Sequence, residues 1–162
     1  MHFELTEEQQ MISDAAQRLA ADRLEPLAEK VDAGEGRAEF LDNLRLLAEN
    51  GFMGLNVSAD YGGTEAGAIG FSQAVQALAG GCASTAVTVS VTNMVGEVIQ
   101  AVGSDEQKEA YLPKLTDGTY AAGGFCLTES SAGSDPSAMK TRAVKDGNHY
   151  VLNGAKLYIT SA

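Results

Sequence analysis

Tryptophan is absent from this 162-residue chain, and histidine and cysteine occur only twice each. Cys82 and Cys126 stand alone, with no metal-ligand spacing and no disulfide framework, so both read as reduced structural thiols. His2 and His149 read as surface or strand residues rather than general bases. Basic residues number 11 against 22 acidic ones, a net charge of −11. That balance argues against nucleic acid, whose affinity comes mostly from phosphate neutralisation. No apolar run approaches the roughly 18 residues a membrane span needs. The first residues, Met1-His2-Phe3-Glu4-Leu5, lack a charged-then-apolar leader pattern, and the expectation is a cytoplasmic protein. There are no internal repeats, no low-complexity tract and no GxGxxG after a strand.

What is present is helical grammar, then a change of grammar. Thr6-Glu7-Glu8-Gln9 reads as a capping box, followed by Met11, Ile12, Ala15, Ala16, Leu19, Ala20 and Leu24 at helical spacing. Pro26 should interrupt that helix, with Leu27 to Val31 continuing it as far as Gly34. A second helix fits Ala38 to Asn50, with Phe40, Leu41, Leu44 and Leu47 inward and Gly51 as the stop. Residues 51–70 read as a glycine-rich loop, its glycines serving tight turns. A short third helix carries Phe71, Ala74, Val75 and Leu78. The next runs to about Val102, capped by Ser84; its Val and Thr residues favour a strand by propensity, its length a buried helix. Ser104-Asp105-Glu106-Gln107 is a second capping box, opening a helix that Pro113 should interrupt. From Tyr120 the pattern turns to strands: Gly123 to Thr128, Thr141 to Val144, His149 to Leu152 after a turn at Asp146-Gly147-Asn148, and Lys156 to Thr160, with Asn153-Gly154 as a hairpin signal. The expected class is α+β, a helical half over about 1–117 followed by the opening of a β domain.

Charge follows the same division. Residues 139–162 carry Lys140, Arg142, Lys145 and Lys156 against Asp146, a local +3 that leaves −14 elsewhere. Lysines on exposed strand edges discourage aggregation. An approaching anionic cofactor or thioester tail is the other reading of the same cluster.

Two stretches carry the chemistry. The run Phe125-Cys126-Leu127-Thr128-Glu129-Ser130-Ser131-Ala132-Gly133-Ser134-Asp135 passes from apolar residues to small polar ones. Such a bend can present successive N–H groups and hydroxyls to an anionic or amide-edged ligand. Taken alone it also suits a plain serine-rich surface turn. Downstream stands Asn153-Gly154-Ala155-Lys156-Leu157-Tyr158-Ile159-Thr160-Ser161-Ala162. Together the two resemble the acyl-CoA dehydrogenase family: the first fits its "hydrophobic-Thr-Glu-x-x-x-Gly-Ser-Asp" signature, and Tyr158-Ile159-Thr160-Ser161 is similar to its "Trp-Ile-Thr-Asn" segment. Phe3-Glu4-Leu5-Thr6-Glu7-Glu8-Gln9 and Tyr61-Gly62-Gly63 match in the same order, so the likeness covers the whole chain. Tyr158 in place of tryptophan, Ser161 in place of asparagine and Ser130 in place of a frequent proline are departures that bear on flavin tuning and substrate subtype.

The resemblance implies a fold and a reaction. The fold is an all-α N-terminal domain, 1–117, and the opening strands of a β-barrel-like middle domain, 118–162, with the family's C-terminal helical domain absent. The reaction is FAD-dependent α,β-dehydrogenation of an acyl-CoA thioester, as in fatty acid metabolism. A carboxylate removes the α-proton while the β-hydride passes to the flavin. Carried over by position, Phe125, Cys126, Leu127 and Thr128 lie along the flavin edge, with Thr128 donating. Gly133 and Ser134 close that segment, and Ser134 also reaches the CoA side of the substrate. Tyr158 packs against the ring system beside Ile159, and Thr160 places its hydroxyl near the reactive flavin nitrogen. Glu129 and Asp135 organise the turn. The Tyr61-Gly62-Gly63 region is a substrate-side candidate. The family's catalytic glutamate belongs to the absent domain, so no residue here is expected to be the base and the chain alone is expected not to turn over. A flavoprotein electron acceptor and a homo-oligomer are implied for the full-length protein. The alternatives are a flavin oxidase or monooxygenase of the same fold, and a non-catalytic partner subunit.

Overall fold

Thr6 sets the first helix. Its hydroxyl accepts from the Gln9 N–H at 3.2 Å, and the Gln9 side chain accepts from the Thr6 N–H at 3.0 Å. The capping box expected from the sequence is therefore closed, and α1 runs Glu7–Leu19. The computed structural model describes residues 4–161, so the expectation for Met1-His2-Phe3 lies outside the described residues. After α1 the helix loosens into a π turn over Ala20–Leu24, tightens over Glu25–Leu27 and resumes as α2, Ala28–Asp32. Pro26 sits in the tight turn, where its missing N–H and fixed φ break the α register.

The helix α3, Arg37–Glu49, buries Leu44 and Leu47 and ends at Gly51, whose φ of +81° is the left-handed stop that glycine accepts. Then come α4, Gly67–Gly81, and α5, Ala83–Val102. The strand propensity of α5 gives way to packing: Thr85, Val89, Thr92, Asn93 and Gly96 form one buried stripe at helical spacing. Ser84 is not its cap; the N-cap is Cys82 in extended conformation, without a side-chain hydrogen bond. Ser104 and Gln107 close the second capping box at the head of α6, Asp105–Thr116. Pro113 does not interrupt α6 as expected. It falls in the last turn, where only one helical bond is lost, and the Thr116 hydroxyl donates to the Pro113 carbonyl at 3.0 Å.

The largest correction concerns residues 51–66, expected as a loop. They form a core element. Phe52, Met53, Leu55 and Val57 are all buried, and α4 starts at Gly67, inside the stretch read as loop. Their backbone is held by Asn93, which donates to the Phe52 and Val89 carbonyls and accepts from the Leu55 N–H. Ala16, Leu24, Leu44, Leu47, Leu78 and Val89 complete this core. A fully buried leucine contributes about 1.5–3 kcal/mol, which is why the helices assemble although each is modest alone.

The chain divides into two compact units, Met1–Gly123 and Gly124–Ala162. The helices above belong to the first. In the second, β1, Arg142–Asp146, pairs antiparallel with β2, His149–Asn153, from Arg142↔Asn153 to Asp146↔His149. The turn is Gly147-Asn148, with positive φ at Gly147 only, as a type II′ hairpin needs. Three strand expectations fail. Residues 123–128 and 156–160 join no ladder, and Asn153-Gly154 is no hairpin, since Asn153 ends β2 opposite Arg142. Gly154 answers a different need: a Cβ there would lie 2.1 Å from the Thr141 hydroxyl oxygen.

Candidate functional site

The two motif stretches meet inside the second unit. The Leu157 N–H donates to the Thr128 carbonyl at 2.9 Å. A Cβ on Gly124 would lie 3.2 Å from the Thr160 carbonyl and 3.7 Å from the Ile159 side chain. Thus 124–128 and 157–160 run past one another in opposite senses, joined by a single backbone bond rather than a ladder. Gly124 has no side chain to hold them apart, which is the close approach expected of a glycine here.

A partly buried ion pair ties the bend together. Glu129 is 5% exposed at its side chain and Lys156 19%. The Lys156 ammonium donates to Glu129 Oε1 at 2.9 Å, to the Leu127 carbonyl at 2.8 Å and to Met139 Sδ at 3.2 Å. Glu129 also accepts the Lys140 N–H at 2.7 Å and the Thr141 N–H at 3.0 Å, and its own backbone closes the turn with Ala132. This bears out Glu129 as a turn organiser. Asp135 acts similarly on a smaller scale, accepting from the Ser137 N–H. Lys156 is legible in the sequence only as one of four local cations; its partners are more than ten residues away, and only folding shows them.

The Glu129 carboxyl is lowered from 4.5 to about 2, with the Thr141 hydroxyl facing it as the largest cause, then the Lys140 N–H and the Lys156 ammonium. That hydroxyl completes no hydrogen bond of ordinary geometry, so the two N–H groups and the ammonium are the firm contacts. A lowered folded value means stabilisation that is whole above about 4.5 and fades as pH falls toward 2. Acid titration of the full chain, followed by amide resonances of residues 127–141, is expected to show loss of the bend in that window. Glu129→Gln is expected to flatten the dependence.

Around this anchor several donors remain open. The N–H groups of Thr128, Gly133 and Ser134 and the hydroxyls of Thr128, Ser134 and Thr160 bond to no described residue. Phe125 is 38% exposed and Cys126 is exposed, while Leu127, Thr128, Ile159 and Thr160 are half-buried. Tyr158 is 92% exposed and sits at φ +56°, an unusual conformation for a bulky residue. Ser161, at φ +64°, is a second such residue in the same short stretch. Backbone strain beside open donors is what ligand clamps show. An amide-edged, ring-containing ligand such as a flavin suits this donor set, and the chemistry of the residues fits that group. Cys82 and Cys126 are both free thiols, and no metal-binding cluster occurs among the described residues.

An open-donor bend clamped by the Glu129 carboxylate lies against the Tyr158-Ile159-Thr160 segment, the two motifs on which the resemblance to the acyl-CoA dehydrogenase family rests. Residues 6–119 match the acyl-CoA dehydrogenase N-terminal domain and residues 124–162 the acyl-CoA dehydrogenase middle domain, and the chain belongs to the acyl-CoA dehydrogenase family. It is 38% identical to the rat mitochondrial short/branched chain specific acyl-CoA dehydrogenase, over 97% of this chain and 36% of that protein. It is also 38% identical to the acryloyl-CoA reductase (NADH) of Anaerotignum propionicum, over 99% of this chain and 40% of the relative. Among solved structures, an acyl-CoA dehydrogenase of Bacillus anthracis complexed with FAD superposes with a TM-score of 0.87 at 28% identity, covering 96% of this chain and 27% of that one. The chain thus spans about two-fifths of the length of the curated relatives it matches. No helix among the described residues is long and apolar enough to cross a membrane.

Proposed function

We propose that residues 118–162 supply one wall of an FAD site for α,β-dehydrogenation of an acyl-CoA thioester. The observation that carries this is the meeting of 124–128 with 157–160 around open donors. Bound FAD would supply the hydride-accepting chemistry. The residues of this chain bind and orient. Phe125, Cys126, Leu127 and Thr128 line the flavin edge, and the Thr128 N–H and hydroxyl face the charge that builds there on reduction. Gly133 leaves the bend open, and Ser134 serves both the cofactor and the CoA side of the substrate. Tyr158, Ile159 and Thr160 cover the ring system from the second stretch, with tyrosine offering a smaller stacking face than tryptophan.

None of the chain's carboxylates is assigned as the α-proton base. Glu129 is the best enclosed of them, but its oxygens are taken by three donors and its carboxyl, at about 2, is too acidic to hold a proton near neutral pH. We assign the base and the oligomer contacts to the full-length protein, with a separate flavoprotein as its electron acceptor. A reductase relative at equal identity supports a second reading, in which the same site delivers hydride to an α,β-unsaturated thioester.

The test is flavin titration of the full chain. FAD is expected to bind with quenched fluorescence, and Thr128→Val, which keeps the N–H but loses the hydroxyl, is expected to weaken binding about tenfold. A wild-type chain that leaves FAD fluorescence unchanged removes the proposal. In the full-length protein, which supplies the base, anaerobic bleaching by acyl-CoA against flavin reduction by NADH then separates the two directions.

A further inference from the structure

The Leu127–Thr128 peptide joins the anchor to the open donors. No cis peptide occurs among the described residues, and a planar trans peptide points its carbonyl and its N–H to opposite edges. The Leu127 carbonyl is fixed by the Lys156 ammonium at 2.8 Å, and the Thr128 carbonyl by the Leu157 N–H at 2.9 Å. Adjacent residues of the second motif therefore hold both peptide planes that flank Thr128. The Glu129 N–H is also taken, by the Ala132 carbonyl at 3.0 Å. The Thr128 N–H, on the edge of that peptide opposite the held Leu127 carbonyl, bonds to no described residue; the Leu127 N–H is open too, but its peptide has no carbonyl contact of this kind to fix it.

We infer that Lys156 is a positioning residue: by holding the Leu127 carbonyl it aims the Thr128 N–H at the ligand. The inference rests on the FAD reading above and adds to it what sets the aim of the donor. A compact ammonium with three N–H groups suits the task, since its three neighbours here, Leu127 O, Glu129 Oε1 and Met139 Sδ, each take one. A bare ion pair would not need the contact to Leu127. Glu129 already has two backbone donors of its own, which hold it without Lys156.

The charge and the aim can be separated. Lys156→Met alone removes a positive charge beside the Glu129 carboxylate, so it is paired with Glu129→Gln, which restores the net charge and leaves no enclosed carboxylate without its counter-ion. In the FAD-loaded full chain the double variant is expected to bind reduced flavin about tenfold less tightly relative to oxidised flavin, which for this two-electron couple lowers the midpoint by about 30 mV. Lys145→Met, on exposed β1, is expected to stay at the wild-type midpoint. A double variant at the wild-type midpoint would assign the effect of Lys156 to charge and overturn the inference. Equal and opposite shifts in the two single variants would do the same. A second measurement needs no variant and no flavin: in the wild-type chain, a scalar NMR correlation between Lys156 Nζ and the Leu127 carbonyl carbon is expected, and its absence overturns the inference. Failure of the wild-type chain to bind FAD would instead remove the functional reading, while that correlation still reports whether the carbonyl is held.

Discussion

Asn93→Ala is expected to cost the helical unit about 4 kcal/mol, and to lower its thermal midpoint by about 10–20 °C. Asn93 is fully buried on α5 and reaches the 52–55 segment on both sides. Its amide donates to the Phe52 carbonyl at 2.8 Å and its oxygen accepts the Leu55 N–H at 2.6 Å. Alanine leaves both backbone groups buried and unpartnered, at about 1–3 kcal/mol each, and adds a small cavity. The third bond, to the Val89 carbonyl at 2.9 Å, matters less, since that carbonyl lies inside a helix with its own ladder partner. Against a total stability of about 5–15 kcal/mol this is a large fraction. Thermal melts followed by circular dichroism decide it; a midpoint within about 3 °C of wild type would show that 51–66 is held by its apolar side chains alone.

Gly63→Ala is expected to cost about 3 kcal/mol or more, although Gly63 does not need positive φ. The reason is room. A Cβ at Gly63 would sit 1.9 Å from the Val57 carbonyl oxygen and 2.3 Å from its carbon. That carbonyl cannot retreat freely, because it accepts the Glu65 N–H and belongs to a residue with no exposure. Gly80→Ala gives the opposite sign. Nothing lies within 4 Å of its Cβ position on α4, and helix propensity favours alanine there by about 0.5 kcal/mol. Chemical denaturation of the two variants beside wild type reads both signs in one experiment. Equal midpoints for the two would show that 57–63 shifts to make space.

The Tyr61-Gly62-Gly63 motif illustrates how far a sequence reaches. That its glycines serve turns was legible: Gly62 adopts φ +80° at the end of a short helical turn. That Gly63 is there because another carbonyl occupies its side-chain space was not, since Val57 reaches it only once 51–66 is folded back on itself. The same holds in the second unit. The Asp146-Gly147-Asn148 turn forms where its composition puts it, but Asn153-Gly154, with the same kind of composition, makes no hairpin, and Gly154 makes way for Thr141. Local composition marks where a glycine is needed, and a distant residue decides for which reason.

The helices with closed capping boxes, the break at Pro26, the family and the two motif stretches were determined by the sequence alone, because each depends on residues a few positions apart or on an ordered string of identities. Tertiary structure alone decided that 51–66 belongs to the core and that Lys156 joins Leu127 to Glu129. Each of these rests on a partner tens of residues away or on the exclusion of water, and neither leaves a periodic trace along the chain.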